Sequence, residues 1–430
     1  MPKIIRNDES LRAYAESPQS QEFRYRHALV PSRPSTTSKL RGRIDVCLKG
    51  RGMQVERIRV KNWRNFTDVD ISVQSRTFIV GANASGKSNF LDIFRFLRDI
   101  ASSNGGGLQK ALKDRGGMPK VRSLAARRYP NILIDLNLSE DGEVWRYILE
   151  ITQETSGKRR PIVKREEVHK GKTRLLFRPD NEDDLDSERL TQTHLEQVNS
   201  NQEFRSIAEF FSGVIYLHLV PQLLKYADGI QGKFLENDPF GQGFLERIAR
   251  TSEGKRRRRL NKIQSVLQKA VPQLEELQFE RDEINGTPHL KAKYTHWRVN
   301  GAWQREDQFS DGTLRLIGLF WVLQEDPGLL LLEEPELSLN NRIVSFLAPF
   351  IHKLQGKGQV FVTTHSSDLL SEPGISLDEV LLLEPTAEAT GIRSAENLTD
   401  VRLLVDGGQS LGNAILPYAT PSDIDSLATI

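Results

Sequence analysis

Residues 76–94 read "RTFIVGANASGKSNFLDIF", and this stretch decides the fold. An apolar run, 77–80, has the look of a buried strand and breaks into Gly81 and Gly86, followed at once by Lys87 and Ser88. Phe90, Leu91, Phe94 and Leu97 then recur at helical spacing, which predicts a helix from Ser88 to about Ile100. The strand, loop and helix fit the pattern GxxxxGK[ST]. Its glycines permit positive φ and clear side chains from the path of a polyphosphate. The backbone at Gly81, Asn83, Ala84, Ser85, Gly86 and Asn89, with the start of the helix, would then present N–H groups to phosphate. Lys87 would reach the β- and γ-phosphates of ATP, and the Ser88 hydroxyl would ligate Mg²⁺.

The rest of the composition narrows the setting. The chain has 430 residues, 38% hydrophobic and 27% charged, which fits a water-soluble globular protein with a substantial core. No run of about eighteen apolar residues is present, so no membrane partner is expected. The N-terminus lacks an apolar secretion signal. Cys47 stands alone, which excludes an internal disulfide or a cysteine-rich zinc site and suits a reducing cytoplasm. Sixty basic against fifty-seven acidic side chains leave a net charge of +3, so nucleic-acid binding would need a local patch. The dense one is "GKRRRRLNK", 254–262, where Arg256, Arg257, Arg258 and Arg259 could meet DNA phosphates or an acidic protein.

Residues 1–50 are polar and aperiodic and read as a flexible N-terminal extension. Strands with a turn near Asn62–Asn65 follow, and residues 131–178 read as a β meander. The acidic "DNEDDLDSE", 180–188, reads as a solvated loop, and residues 202–275 as a helical insertion. The final third alternates buried strands ("GLLLLEEP", "QVFVTTH", "EVLLLEP") with helices, which predicts an α/β fold with a parallel sheet covered on both faces.

Hydrolysis needs a metal holder and a group that activates water. Glu333 and Glu334 close the strand "LLLLEE"; the first would hold Mg²⁺ through water and the second would act as base. His365, at the end of the next strand, could bond the γ-phosphate or the attacking water. Ser310, Asp311 and Gly312 open a helix in "QFSDGTLRL" and form either an anion site or an ordinary N-cap.

Together these segments resemble the heads of ABC-type ATPases, in the RecF/SMC and OLD-like branch, and especially its stand-alone bacterial members labelled AAA-family ATPases. GANASGKS looks like Walker A, "FSDGT" like the ABC signature, "LLLLEEPE" like Walker B and "TTHSSDLL" like the switch histidine; "IRVKNWRNF" resembles the first strand and turn. The likeness covers roughly residues 53–385. It implies a P-loop NTPase of ABC-ATPase type: a mixed sheet flanked by helices, an N-terminal antiparallel β subdomain and a helical insertion. On this reading the head spans residues 51–400 and 401–430 form a C-terminal segment with no nuclease domain expected, since residues 386–430 are too short for the Toprim nuclease that OLD relatives often carry. Asp311 stands where the signature usually has Gly, and Asn340 where relatives commonly have His. No Q-loop glutamine stands out.

The resemblance also implies a mechanism. Two ATP molecules would be sandwiched in a head-to-tail homodimer or a higher oligomer, with Ser310 of one chain facing the nucleotide held by Lys87 of the other. The output would act on DNA or on a separately encoded effector such as a nuclease, in anti-phage defence or DNA repair. The alternative is a slow, nucleotide-gated scaffold that holds and releases a protein effector.

Overall fold

The computed structural model describes residues 52–103, 105–226, 241–295, 302–325, 327–354 and 358–420, all within the compact unit Leu48–Ile430. The extension expected at 1–50 lies outside the described residues.

β1 (Gln54–Trp63) and β2 (Phe66–Ser72) pair antiparallel with Trp63 opposite Phe66, so the turn is only Arg64 and Asn65. β3 (Arg76–Gly81) leaves this hairpin for another sheet. β4 (Ile132–Glu140), β5 (Glu143–Gln153), β6 (Pro161–Lys170) and β7 (Thr173–Arg178) return to it, giving the antiparallel order β2-β1-β4-β5-β6-β7. Ile132, Ile134, Leu136 and Leu138 are buried at every second position, the period of a half-covered strand. The other face carries ion pairs such as Arg57–Asp70 and Arg146–Asp135.

The second sheet receives β8 (Ile215–Leu217). After a separate antiparallel sheet of β9 (Leu274–Arg281), β10 (Pro288–Tyr294) and β11 (Ala302–Arg305), it also receives β12 (Leu329–Glu333), β13 (Gln359–Thr364), β14 (Val380–Pro385) and β15 (Thr390–Ser394). Its order is β15-β14-β3-β13-β12-β8, parallel throughout except for β15. Ile79, Leu329, Leu331, Phe361, Leu381 and Leu383 face one core, shared with the antiparallel sheet and α1 (Lys87–Ala101). Phe78, Val80, Leu330, Leu332, Val360, Val362 and Leu382 face a second core. Burial on both faces is why these strands read as unbroken apolar runs. α2 (Arg205–Ser212) packs on α1, while α3 (Glu253–Ala270) and α4 (Asp311–Leu323) close the second core. The α/β class with a mixed sheet and an antiparallel β subdomain is therefore the observed one.

Two local expectations change. The acidic 180–188 segment is not simply a solvated loop. Asp180 caps the short helix Asn181–Leu185, and buried Asp183 accepts hydrogen bonds from Arg178 at 2.9 and 2.7 Å. Within the segment expected to be helical lies β8, only three residues long and thus too short to show a period. β9 to β11 were likewise not read, because their charged residues interrupt the apolar alternation.

Candidate functional site

Residues 82–86 bridge β3 and α1. Gly86 has φ 102°, and a Cβ there would lie 2.1 Å from Asn65 Nδ2. A Cβ on Gly81 would lie 2.7 Å from the Leu383 carbonyl oxygen. Ala84 also takes a left-handed conformation, φ 63°. Asn83 and Ala84 are exposed at the crest of the loop. α1 has no side-chain cap, and its first intrahelical bond runs from Phe90 N to Gly86 O at 3.0 Å. The first-turn amides of Lys87, Ser88 and Asn89 therefore have no acceptor within the helix, which suits an anion. Buried Ser85 adds a hydroxyl with no hydrogen-bond partner among the described residues. Lys87 is buried, and its Nζ donates to the carbonyls of Gly81 at 3.0 Å and Ala82 at 3.2 Å. Burial lowers its pKa, against the pull of Glu334, Glu333 and Glu336.

The acidic half of the site forms where β12 and β13 end beside β3, at the carboxyl edge of the parallel sheet. Ser88 Oγ donates to Glu333 Oε1 at 2.6 Å, and Tyr216 Oη donates to Glu333 Oε2 at 2.5 Å. Glu334 follows in a left-handed conformation, φ 45°, its N–H held by the Thr363 carbonyl at 3.0 Å. Its Oε1 lies 3.3 Å from His365 Nε2, and this hydrogen bond holds the Glu334 carboxyl below its usual range. Glu336 accepts from Thr364 Oγ1 at 2.6 Å and from His365 N at 3.0 Å, while burial raises its pKa. A glycine cradle, an uncapped helix start and a hard-oxygen pair at Ser88 and Glu333 fit a Mg²⁺–nucleoside triphosphate.

Thus Gly81, Ser85, Gly86, Lys87, Ser88, Glu333, Glu334 and His365 come together. Other expected residues have their side chains engaged elsewhere. Asn89 donates through Nδ2 to Asn65 Oδ1 at 2.8 Å, so its side chain braces the turn. Ser310 is the N-cap of α4, accepting from Thr313 N at 3.1 Å. Asp311 accepts from Gln222 and Lys225, each at 2.6 Å. Among the described residues, no hydrogen bond of Ser310 or Asp311 reaches 81–89. Gly312 presses on the chain after the acidic strand, where a Cβ would lie 2.7 Å from the Ser338 carbonyl oxygen. Asn340 caps the next short helix by accepting from Arg342 N at 2.9 Å.

The four arginines do not form one exposed face, which corrects the expected patch. Arg259 is buried, bonded to Gln324 O at 3.0 Å and stacked 5.1 Å from the Trp321 ring centre. Arg256 stacks 4.1 Å from Phe279 and bonds the Ala249 and Thr251 carbonyls. Only Arg257 and Arg258 of the four are exposed.

Sequence reasoning missed Tyr216, His218, Asn65 and Glu336. Tyr216 and His218 project from β8 and its exit toward Glu333, with His218 Nδ1 3.4 Å from the Glu333 carbonyl oxygen. Asn65 joins the β1–β2 turn to the loop through Ser85 O at 2.9 Å. Glu336 had a signal, as the third acid of "EEPE".

A family model described as "AAA domain, putative AbiEii toxin, Type IV TA system" matches residues 76–371. No curated protein matches the chain. Among solved structures, an SMC head bound to the C-winged helix domain of ScpA is similar at 15% identity, covering 79% of this chain and 97% of that one, with a TM-score of 0.47. The SMC head domain from Thermotoga maritima is similar at 13% identity, with coverages of 79% and 98% and a TM-score of 0.43. A Pyrococcus furiosus Smc head with an extended coiled coil, bound to the C-terminal domain of ScpA, gives 15%, 83%, 100% and 0.44.

Proposed function

The chain belongs to the AAA-domain family whose model spans residues 76–371, and from that premise we propose that it is a Mg²⁺-dependent ATPase that works as a nucleotide-sandwiched dimer. The observation that carries this reading is the meeting of Ser88 with Glu333 at 2.6 Å and of Glu334 with His365 at 3.3 Å, beside the glycine loop. Loop amides and Lys87 would hold the phosphates, and Ser88 with Glu333 would hold Mg²⁺, which supplies charge neutralisation between them. Glu334 takes a proton from the attacking water at Oε1, and His365 holds that carboxylate in place and ionised.

Ser310 supports the dimer. It opens the thirteen-residue α4, and among the described residues its hydroxyl bonds within the first turn and not to the loop of its own chain. A second copy could bring this helix start to the γ-phosphate, and ATP would then favour the closed pair through differential affinity. The family description names a toxin of a toxin–antitoxin system, which fits an output exerted on another macromolecule, DNA or a separate effector, in defence. ATP turnover measured beside the oligomeric state tests the proposal: wild type hydrolyses ATP, and Glu334→Gln binds it, stops turnover and accumulates as a dimer. Turnover by Glu334→Gln at the wild-type rate refutes the assignment.

A further inference from the structure

Glu333 has a long side chain for a metal holder, with three rotatable bonds before its carboxylate, and such a group spreads over several rotamers unless it is held. Here each oxygen has its own donor, Ser88 Oγ on Oε1 at 2.6 Å and Tyr216 Oη on Oε2 at 2.5 Å. Tyr216 lies in β8, the outermost strand of the parallel sheet, opposite Leu331 of β12. Its ring is gripped from the far side by Arg95, whose guanidinium carbon lies 4.2 Å from the ring centre. Arg95 Nε is buried without a hydrogen-bond partner, and its carboxylate contact to Asp92 is long, 3.9 Å. The ring face thus packs against Arg95 beside that long ion contact. Arg95 and Ser88 sit on the same helix, seven residues or about two turns apart. The contacts therefore close a circuit from α1 through Arg95, Tyr216 and Glu333 back to α1 at Ser88.

We propose that Tyr216 is a positioning residue for the metal-holding carboxylate: its hydroxyl fixes Glu333 Oε2 so that Oε1 stays beside Ser88, where a divalent cation is held. This rests on the reading of Ser88 and Glu333 as the metal pair. The circuit explains why a glutamate serves here, since the phenol takes up the reach of the longer side chain. Partners of this kind, one shell out from a metal, typically change metal affinity 10–100-fold when removed, about the size of effect expected here.

The test is equilibrium binding of a fluorescent, nonhydrolysable ATP analogue to the full chain, in EDTA and across a Mg²⁺ titration. Tyr216→Phe keeps the ring against Arg95 and removes only the hydroxyl. It should raise the half-maximal Mg²⁺ concentration about 10- to 100-fold and leave affinity in EDTA within about twofold of wild type. Arg95→Leu, which frees the ring but keeps the hydroxyl, should shift the same midpoint by a smaller factor. Glu333→Gln separates the two levels of the inference. If Glu333→Gln shifts the midpoint and Tyr216→Phe does not, the positioning role is wrong while the metal pair stands. If neither shifts it, the metal pair itself is wrong. If Tyr216→Phe weakens binding equally with and without Mg²⁺, the tyrosine acts through the fold and the proposal is overturned.

Discussion

Glu334 Oε1 and His365 Nε2 stand 3.3 Å apart at the ends of two adjacent parallel strands. If this carboxylate is the base, Glu334→Gln should lower the ATP turnover rate by about 100-fold or more. The dissociation constant of a nonhydrolysable analogue should change little. Single-turnover hydrolysis and equilibrium binding measure the two separately.

Dimer closure is tested at the start of α4. Ser310→Arg in a Glu334→Gln chain should abolish the ATP-dependent dimer seen by light scattering. Analogue binding to each monomer should persist, because Ser310 bonds within its own helix turn and not to the loop. A dimer that still forms argues against this face as the seam.

Gly86 and Asn65 make a coupled pair. Gly86→Ala should destabilise the fold by about 1–3 kcal/mol, the strain of a left-handed residue with a side chain. Part of that loss is the collision with the Asn65 amide. In an Asn65→Ala background the loss should shrink by about 0.5 kcal/mol or more, which a double-mutant cycle of chemical denaturation resolves.

The arginine run should divide in two. Arg259→Ala removes a buried stack on Trp321 and a bond to Gln324 O, and should cost about 1–3 kcal/mol of stability. Arg257→Ala and Arg258→Ala should fall within about 0.5 kcal/mol of wild type in the same denaturation assay, as exposed substitutions do.

Acid should act through His194. Burial lowers its pKa to about 4 from the usual 6.5. The unfolded chain therefore takes up the proton first. The resulting stability is fully present above pH 6.5 and is lost as pH falls toward about 4. Urea midpoints across that interval should slope less steeply for His194→Gln than for wild type.

The nucleotide loop and the Glu333–Glu334 strand end were legible because their chemistry is local: glycines, a lysine and acids at fixed offsets from apolar runs. Tyr216 and His218 were not, since a three-residue edge strand has no period and reaches Glu333 across 117 and 115 residues of chain. Four identical arginines conceal which of them turn inward. The spacing of Leu260, Ile263 and Leu267 marks the buried face of α3, and Arg256 and Arg259 fall on that side. Asp183 was hidden for the opposite reason. Its neighbours are acidic and solvated, and the guanidinium groups of Arg178 and Arg189 hold it inside.

The contact of Gly312 with Ser338 leaves no slack between the helix that begins at Ser310 and the chain that leaves Glu334. If Glu334 is the base, a shift of its strand end would meet the start of that helix through backbone contact at Gly312. A single added methyl at Gly312 would collide with the Ser338 carbonyl and force the two segments apart.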